Sequence, residues 1–249
     1  PCRCAKGTIA MTEKSIIDEL APKGRLRVAI NYGNPVLAQQ GDAGQPKGIS
    51  AKLAGELAKE LGLAVEWVAF DAAGRVFATV DDDCWDIAFL AIDSLRAEKI
   101  AFSQPYVTIS GTYLVPAGSD FKQVADLDQQ GVTISIERGA AYDLFLSRQL
   151  QHAKINRVDT ASLAIEAFMA HEADAVAGLR YQLQDYAQQN SGFRLTVDDF
   201  THIHQAMAVP RQRTAAAAYV SDFILRKKQS GYVKAALVAN GQPESLAAE

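Results

Sequence analysis

Trp85-Asp86-Ile87-Ala88-Phe89-Leu90-Ala91-Ile92-Asp93-Ser94-Leu95-Arg96-Ala97-Glu98-Lys99-Ile100-Ala101-Phe102-Ser103-Gln104-Pro105-Tyr106 carries the most informative pattern in the chain. Asp86 to Ile92 is an apolar run with no polar alternation, which predicts a strand covered on both faces, as in a parallel α/β sheet. Polarity returns at Asp93-Ser94, so the strand ends there and Arg96 follows in the turn beyond its carboxyl end. After Tyr106 the pattern changes. Val107 to Val115 is rich in Thr, Ile, Tyr and Val around Gly111, and predicts a long crossover strand.

The flanking sequence repeats a strand–helix alternation on each side. Upstream, Arg25 to Ile30 predicts a strand ended by Asn31-Tyr32-Gly33-Asn34-Pro35. Ile49, Leu53, Leu57 and Leu61 recur every four residues, which predicts an amphipathic helix over 51–61, with Ser50 as N-cap and Gly62 as stop. Val65 to Phe70 predicts a second strand, and Gly74 to Val80 a short helix. Downstream, strands are predicted at Val132–Ile136, Ile155–Val158 and Ala173–Gly178, with helices opening at Gly139-Ala140-Ala141 and running from Leu163 to about His171. His202 to Val209 is a second extended stretch. Thr214 to about Lys228 and Gly231 to Asn240 predict two terminal helices. The fold class is therefore α/β: two Rossmann-like lobes joined by a two-strand hinge. Lobe 1 is discontinuous, 20–108 plus 204–249; lobe 2 is 109–203; residues 1–19 are an N-terminal extension. Ligands of such sheets bind beyond the carboxyl ends of the strands, here in a cleft between the lobes.

Composition narrows the function. Among 249 residues, 25 Lys plus Arg stand against 29 Asp plus Glu, a net charge of −4. Without a basic surplus, nucleic acid and anionic membrane are not expected partners. No stretch reaches the apolar length of a membrane span. A start at Pro1 is expected to reflect processing, with Met11 a candidate natural start, so the missing signal-peptide core in 1–10 leaves the compartment open. Cys2, Cys4 and Cys84 cannot form a complete disulfide set, and Cys84 is expected as a small half-buried hydrophobe. No metal or cofactor is expected. His202 and His204 share a strand face but lack a third ligand. Asp81-Asp82-Asp83 lacks the glycine and terminal glutamate of a calcium loop and is expected as a solvated turn.

The chain resembles the type II periplasmic solute-binding proteins, specifically the amino-acid-binding family of ABC transport systems, over about residues 20–242. Arg96-Ala97-Glu98-Lys99-Ile100-Ala101-Phe102-Ser103-Gln104-Pro105-Tyr106 is similar to its R-x-x-x-(I/V)-x-F-S-x-P-Y signature. Asp126-Leu127, Gly131-Val132 and Glu137-Arg138-Gly139-Ala140 resemble its entry into the second lobe; Asp174-Ala175-Val176 and Gly231-Tyr232 resemble two further motifs. The resemblance implies a non-enzymatic, monomeric, periplasmic receptor that closes on a small carboxylate ligand and presents it to a membrane permease. It implies that Arg96 clamps the ligand's carboxylate; a surface arginine capping a helix is the alternative. Ala91, Asp93 and Ser94 of the same turn, and the helix N-terminus at Gly139, Ala140 and Ala141, are further candidate contacts. Asn31 and Asn34 either touch ligand or serve their turn, and Tyr142 is expected in the core.

Departures from the pattern shape the ligand expected. Leu179 stands where the family usually places the aspartate that holds an ammonium, and Arg180 follows it. Asp71-Ala72-Ala73-Gly74 offers no aromatic to stack on a ligand. Asp93 is the candidate substitute for the ammonium site, and Arg96 with Arg180 predicts a ligand carrying more than one anionic or strongly accepting group. The alternatives are an enzyme of the cyclohexadienyl dehydratase kind on the same fold, with Asp93 or Glu137 as the acid, and a stand-alone sensory module.

Overall fold

The computed structural model describes residues 14–249. Cys2, Cys4 and Met11 lie outside these described residues. In chain order the elements are α1 (residues 14–20), β1 (Leu26–Asn31), β2 (Gln39–Gln40), β3 (Pro46–Lys47), α2 (Ile49–Glu60), β4 (Val65–Phe70), α3 (Ala73–Ala78), β5 (Ile87–Ala91), α4 (Ser94–Ala97), β6 (Ile100–Pro116) and β7 (Thr133–Glu137). There follow α5 (Ala141–Gln149), β8 (Lys154–Val158), α6 (Ala161–Met169), β9 (Ala175–Leu179), α7 (Arg180–Gln189), β10 (Phe193–Leu195), β11 (Thr201–Pro210), α8 (Thr214–Gln229) and α9 (Tyr232–Val238).

The chain divides into two compact units. Unit 1 takes the chain through Phe70, then Val76–Val107 and Gln205–Glu249; unit 2 takes Asp71–Arg75 and Thr108–His204. The chain leaves unit 1 within β6 and returns within β11. Segment 71–75, assigned from sequence to the first lobe, groups with the second.

In unit 1 the sheet order is β4-β1-β5-β11. β1 runs parallel to both β4 and β5, and β11 pairs antiparallel with β5 on the other side. All five residues of β5 are buried, as expected of a strand sandwiched between helices. α2 buries Ile49, Leu53 and Leu57 completely. Its N-cap is Gly48 at φ 109°, not Ser50. The Ser50 hydroxyl is instead inside the core, 3.2 Å from the Tyr106 hydroxyl. Gly48 is required because a Cβ there would lie 2.3 Å from the Leu37 carbonyl oxygen.

In unit 2 the order is β6-β9-β7-β8, with β7 parallel to β8 and β9, and β6 antiparallel to β9 and β10. One core packs Leu114, Ala164, Phe168, Val176 and Leu183. The sequence pattern missed α7, although Leu183, Tyr186 and Ala187 have the i, i+3, i+4 spacing of a helix face and pack on that core.

A buried ion cluster ties unit 1 together. Asp86 is fully buried, and accepts from the Arg27 amide (2.9 Å), Nε (3.0 Å) and Nη2 (2.7 Å). Arg213 Nη1 reaches the same carboxylate at 2.6 Å and the Glu19 carbonyl at 3.0 Å, while Glu19 Oε2 accepts from the Ala216 amide at 2.9 Å. β1, β5, α1 and α8 thus meet at one carboxylate. Removing it strands Arg27, so Asp86→Ala should cost about 3–5 kcal/mol in urea unfolding. A loss within about 1 kcal/mol would refute the cluster's role.

The half-exposed Asp83, held by Arg27 and Lys23, has its pKa lowered to about 2. A carboxylate depressed on folding stabilises above its unfolded pKa and loses that contribution as pH falls through the folded value. Acid unfolding of Asp83→Asn should therefore lose its difference from wild type as pH drops from about 4 to 2. Curves that stay parallel throughout would contradict this.

Candidate functional site

In unit 1, β1 and β5 are parallel neighbours, so their carboxyl ends adjoin. β5 ends at Ala91. Asp93 then serves as N-cap of α4, its Oδ1 accepting from the Leu95 amide at 2.9 Å. One turn later Arg96 folds back under the strand end, Nη1 donating to the Ala91 carbonyl at 3.1 Å. Arg96 is completely buried and Asp93 nearly so; Ser94, Ile92 and Leu95 are exposed. The surface-arginine alternative for Arg96 is therefore excluded by its burial.

At the neighbouring end of β1, the Asn31 side chain accepts from the Gly33 amide at 2.9 Å, which is a turn-forming contact. Asn34 is only 7 % exposed, its carbonyl accepting from the Leu37 and Ala38 amides at 3.0 Å. Its side-chain Oδ1 is buried with no hydrogen-bond partner. A guanidinium, a carboxylate and an amide are thus all held away from water at two adjoining strand ends.

In unit 2, β7 ends at Glu137, and Gly139 at φ 71° turns the chain into α5. The Gly139 amide donates to Asp143 Oδ2 at 2.8 Å, and Asp143 Oδ1 accepts from Arg157 Nε at 2.9 Å. Ala140 is the N-cap, without a side-chain cap, and Ala141 starts the helix. Tyr142 is buried as expected, but its hydroxyl donates to Glu137 Oε2 at 2.9 Å. Burial first, and then the neighbouring Glu137 charge, push the Tyr142 pKa well above the phenol range. Segment 71–75 lies on this turn: a Cβ on Gly74 would stand 2.9 Å from the Arg138 carbonyl oxygen, and one on Gly139 3.1 Å from Gly74 Cα. Gly74 therefore has a packing reason to lack a side chain.

Arg180 requires a correction. Its Nε pairs with Asp199, and Nη2 donates to Thr112 Oγ1 (3.2 Å) and the Asp198 carbonyl (2.9 Å). Its charge is balanced within unit 2, which removes the basis for expecting a ligand with several anionic groups. Leu179 is a buried end of β9, in register with Gly111. His202 and His204 are exposed and lie against the Ser110 and Thr108 hydroxyls. Cys84 is half-buried, with Sγ 3.9 Å from the Thr79 carbonyl. Among the described residues no group of three His, Cys, Asp or Glu could hold a metal, and no helix is long and apolar enough to cross a membrane.

The family model for bacterial extracellular solute-binding proteins, family 3, matches residues 26–238, and the chain belongs to that family. It is 23 % identical over 230 residues to the L-cystine-binding protein TcyJ of Escherichia coli K12, covering 91 % of this chain and 86 % of that one. It is 28 % identical over 149 residues to the cyclohexadienyl dehydratase of Pseudomonas aeruginosa, covering 57 % and 54 %. Among solved structures, the solute receptor for L-cysteine of Neisseria gonorrhoeae superposes with a TM-score of 0.81 at 23 % identity, covering 94 % of this chain and all of that one.

The Arg180 contacts give a direct test. Arg180→Ala should lower stability by about 1–3 kcal/mol, the cost of leaving partly buried Asp199 and the loop carbonyls unmatched, with ligand affinity unchanged within about threefold. A large loss of affinity at unchanged stability would return Arg180 to the ligand.

Proposed function

We propose that this chain captures a small amino acid outside the cytoplasm and delivers it to the membrane permease of an ABC transporter, acting as a monomeric periplasmic receptor without catalytic turnover. Arg96 takes the carboxylate, because a guanidinium fork matches it bidentately. Asp93 takes the ammonium, replacing the aspartate absent at Leu179. Ala91, Ser94, Asn31 and Asn34 complete the contacts from unit 1.

The observation that carries this proposal is the Arg96 guanidinium, fully buried beyond the end of β5 within the stretch that carries the family's motif. The names of the relatives, cystine- and cysteine-binding among them, agree in ligand class.

The test is isothermal titration with L-cystine, L-cysteine, L-histidine and L-arginine, preceded by thermal shift. A ligand at 100 times its Kd stabilises by about 2.7 kcal/mol. Arg96→Ala should weaken binding by about 2–5 kcal/mol, more than about thirtyfold, and Arg96→Lys should recover only part. Absence of binding across the amino acids, or full affinity in a folded Arg96→Ala protein, would refute the proposal. The partial dehydratase match supports a second reading with Asp93 or Glu137 as acid. Incubation with prephenate or arogenate should give no aromatic product.

A further inference from the structure

We propose that His202 and His204 form a surface chelate for a divalent transition-metal ion of the nickel and zinc type, with water completing its coordination. The sequence reading asked for a third protein ligand, which is the requirement of a closed or catalytic zinc site. An open, exchangeable site makes a smaller demand: two imidazoles on one face, each held with the right nitrogen outward.

β11 supplies the spacing. Side chains of a strand alternate between faces, so residues two apart stand roughly 6.5–7 Å apart on the same face. His202 and His204 are exposed, while Ile203 between them is only 5 % exposed and Ile109 of β6 is fully buried. The two rings are therefore neighbours in water, carried on a strand whose other face is packed.

β6 supplies the orientation. The Ser110 hydroxyl lies 3.3 Å from His202 Nδ1, and the Thr108 hydroxyl lies 3.1 Å from His204 Nδ1. Both rings are held through the same nitrogen, so Nε2 is the one left for an ion in each. When Nδ1–H donates to the hydroxyl oxygen, Nε2 carries the lone pair that a metal takes. Proteins orient metal-binding histidines in this way, with the second ring nitrogen donating to a fixed oxygen. Here the device occurs twice, two residues apart, on one pair of strands. Once one imidazole has bound the ion, the second binds it intramolecularly, which multiplies affinity by about a hundredfold or more. Imidazole nitrogen suits nickel, copper and zinc; magnesium and calcium prefer oxygen. The remaining two of the four histidines, His152 and His171, have no histidine two residues away and serve as controls.

The test uses the 249-residue chain without a tag, carrying Cys2→Ser and Cys4→Ser so that thiolates do not take the ion. Isothermal titration with Ni(II) should show one site per chain, and Mg(II) should give none. His202→Ala and His204→Ala should each weaken Ni(II) binding by about a hundredfold or more, with thermal unfolding in the absence of metal unchanged. Thr108→Val combined with Ser110→Ala should weaken it by about 10–100-fold. His152→Ala and His171→Ala should leave it within about threefold. Side-chain nitrogen NMR with Zn(II) should show coordination at Nε2 of His202 and His204, with Nδ1 protonated in both. Absence of Ni(II) binding would overturn the proposal, as would binding that survives either His202→Ala or His204→Ala. Coordination through Nδ1, or full affinity in the hydroxyl double variant, would equally overturn it, since the orientation set by β6 is what makes the pair a site.

Discussion

The arrangement of unit 1 depends on how Asp86 is held. Its amide donates to the Arg27 carbonyl at 2.8 Å while its carboxylate takes the Arg27 amide and guanidinium. This double clasp fixes β5 beside β1 at their amino ends, in the register Val28↔Ile87 and Ala29↔Ala88. β5 is five residues long and β1 six, so a pairing locked at one end determines what meets at the other. A slip of one residue would reverse the faces of every β5 side chain. It would also move Arg96 relative to the β1 turn. A buried ion pair is weak evidence for net stability, but a bidentate one can specify register. That is its function here, and Arg213 and Glu19 extend the same specification to α8 and α1.

What was legible in the sequence follows from locality. β5 and α2 announce themselves through apolar run, period and turn residues, because β5 is buried throughout and α2 buries one regular face, while half-buried β4 is read from its Val, Trp and Phe residues. The end of β5 was legible for the same reason: Asp93 breaks the apolar run and caps the next turn. α7 was not read, because Arg180-Tyr181-Gln182-Leu183-Gln184-Asp185 is mostly polar and buries Leu183 alone among its residues. Its helical face is thin, and tertiary packing on Phe168 and Phe193 completes it. Ser50 shows the opposite failure. A good capping residue was drawn into the core to meet Tyr106, and a glycine beside it took the cap because only a residue without Cβ clears the Leu37 carbonyl.

The candidate site was half legible on similar grounds. Arg96 and Asp93 stand in one short motif, so order along the chain sufficed to bring them together. The fate of Arg180 depends on Asp199, nineteen residues later and across a turn, which no local pattern encodes. An arginine beside a strand end looks like a ligand contact until its counter-charge is located. The net charge of −4 has the same limitation, since it cannot distinguish cations matched in pairs from cations offered to a solute.

Leu179 can be understood from this pairing. A carboxylate at 179 would stand one residue from Arg180 and compete with Asp199 for its guanidinium. Asp199, Asp198 and Thr196 are the groups through which Arg180 holds the 196–199 loop against Thr112 of β6. A chain that commits Arg180 to that loop therefore gains by keeping the end of β9 apolar, and Leu179 is buried accordingly.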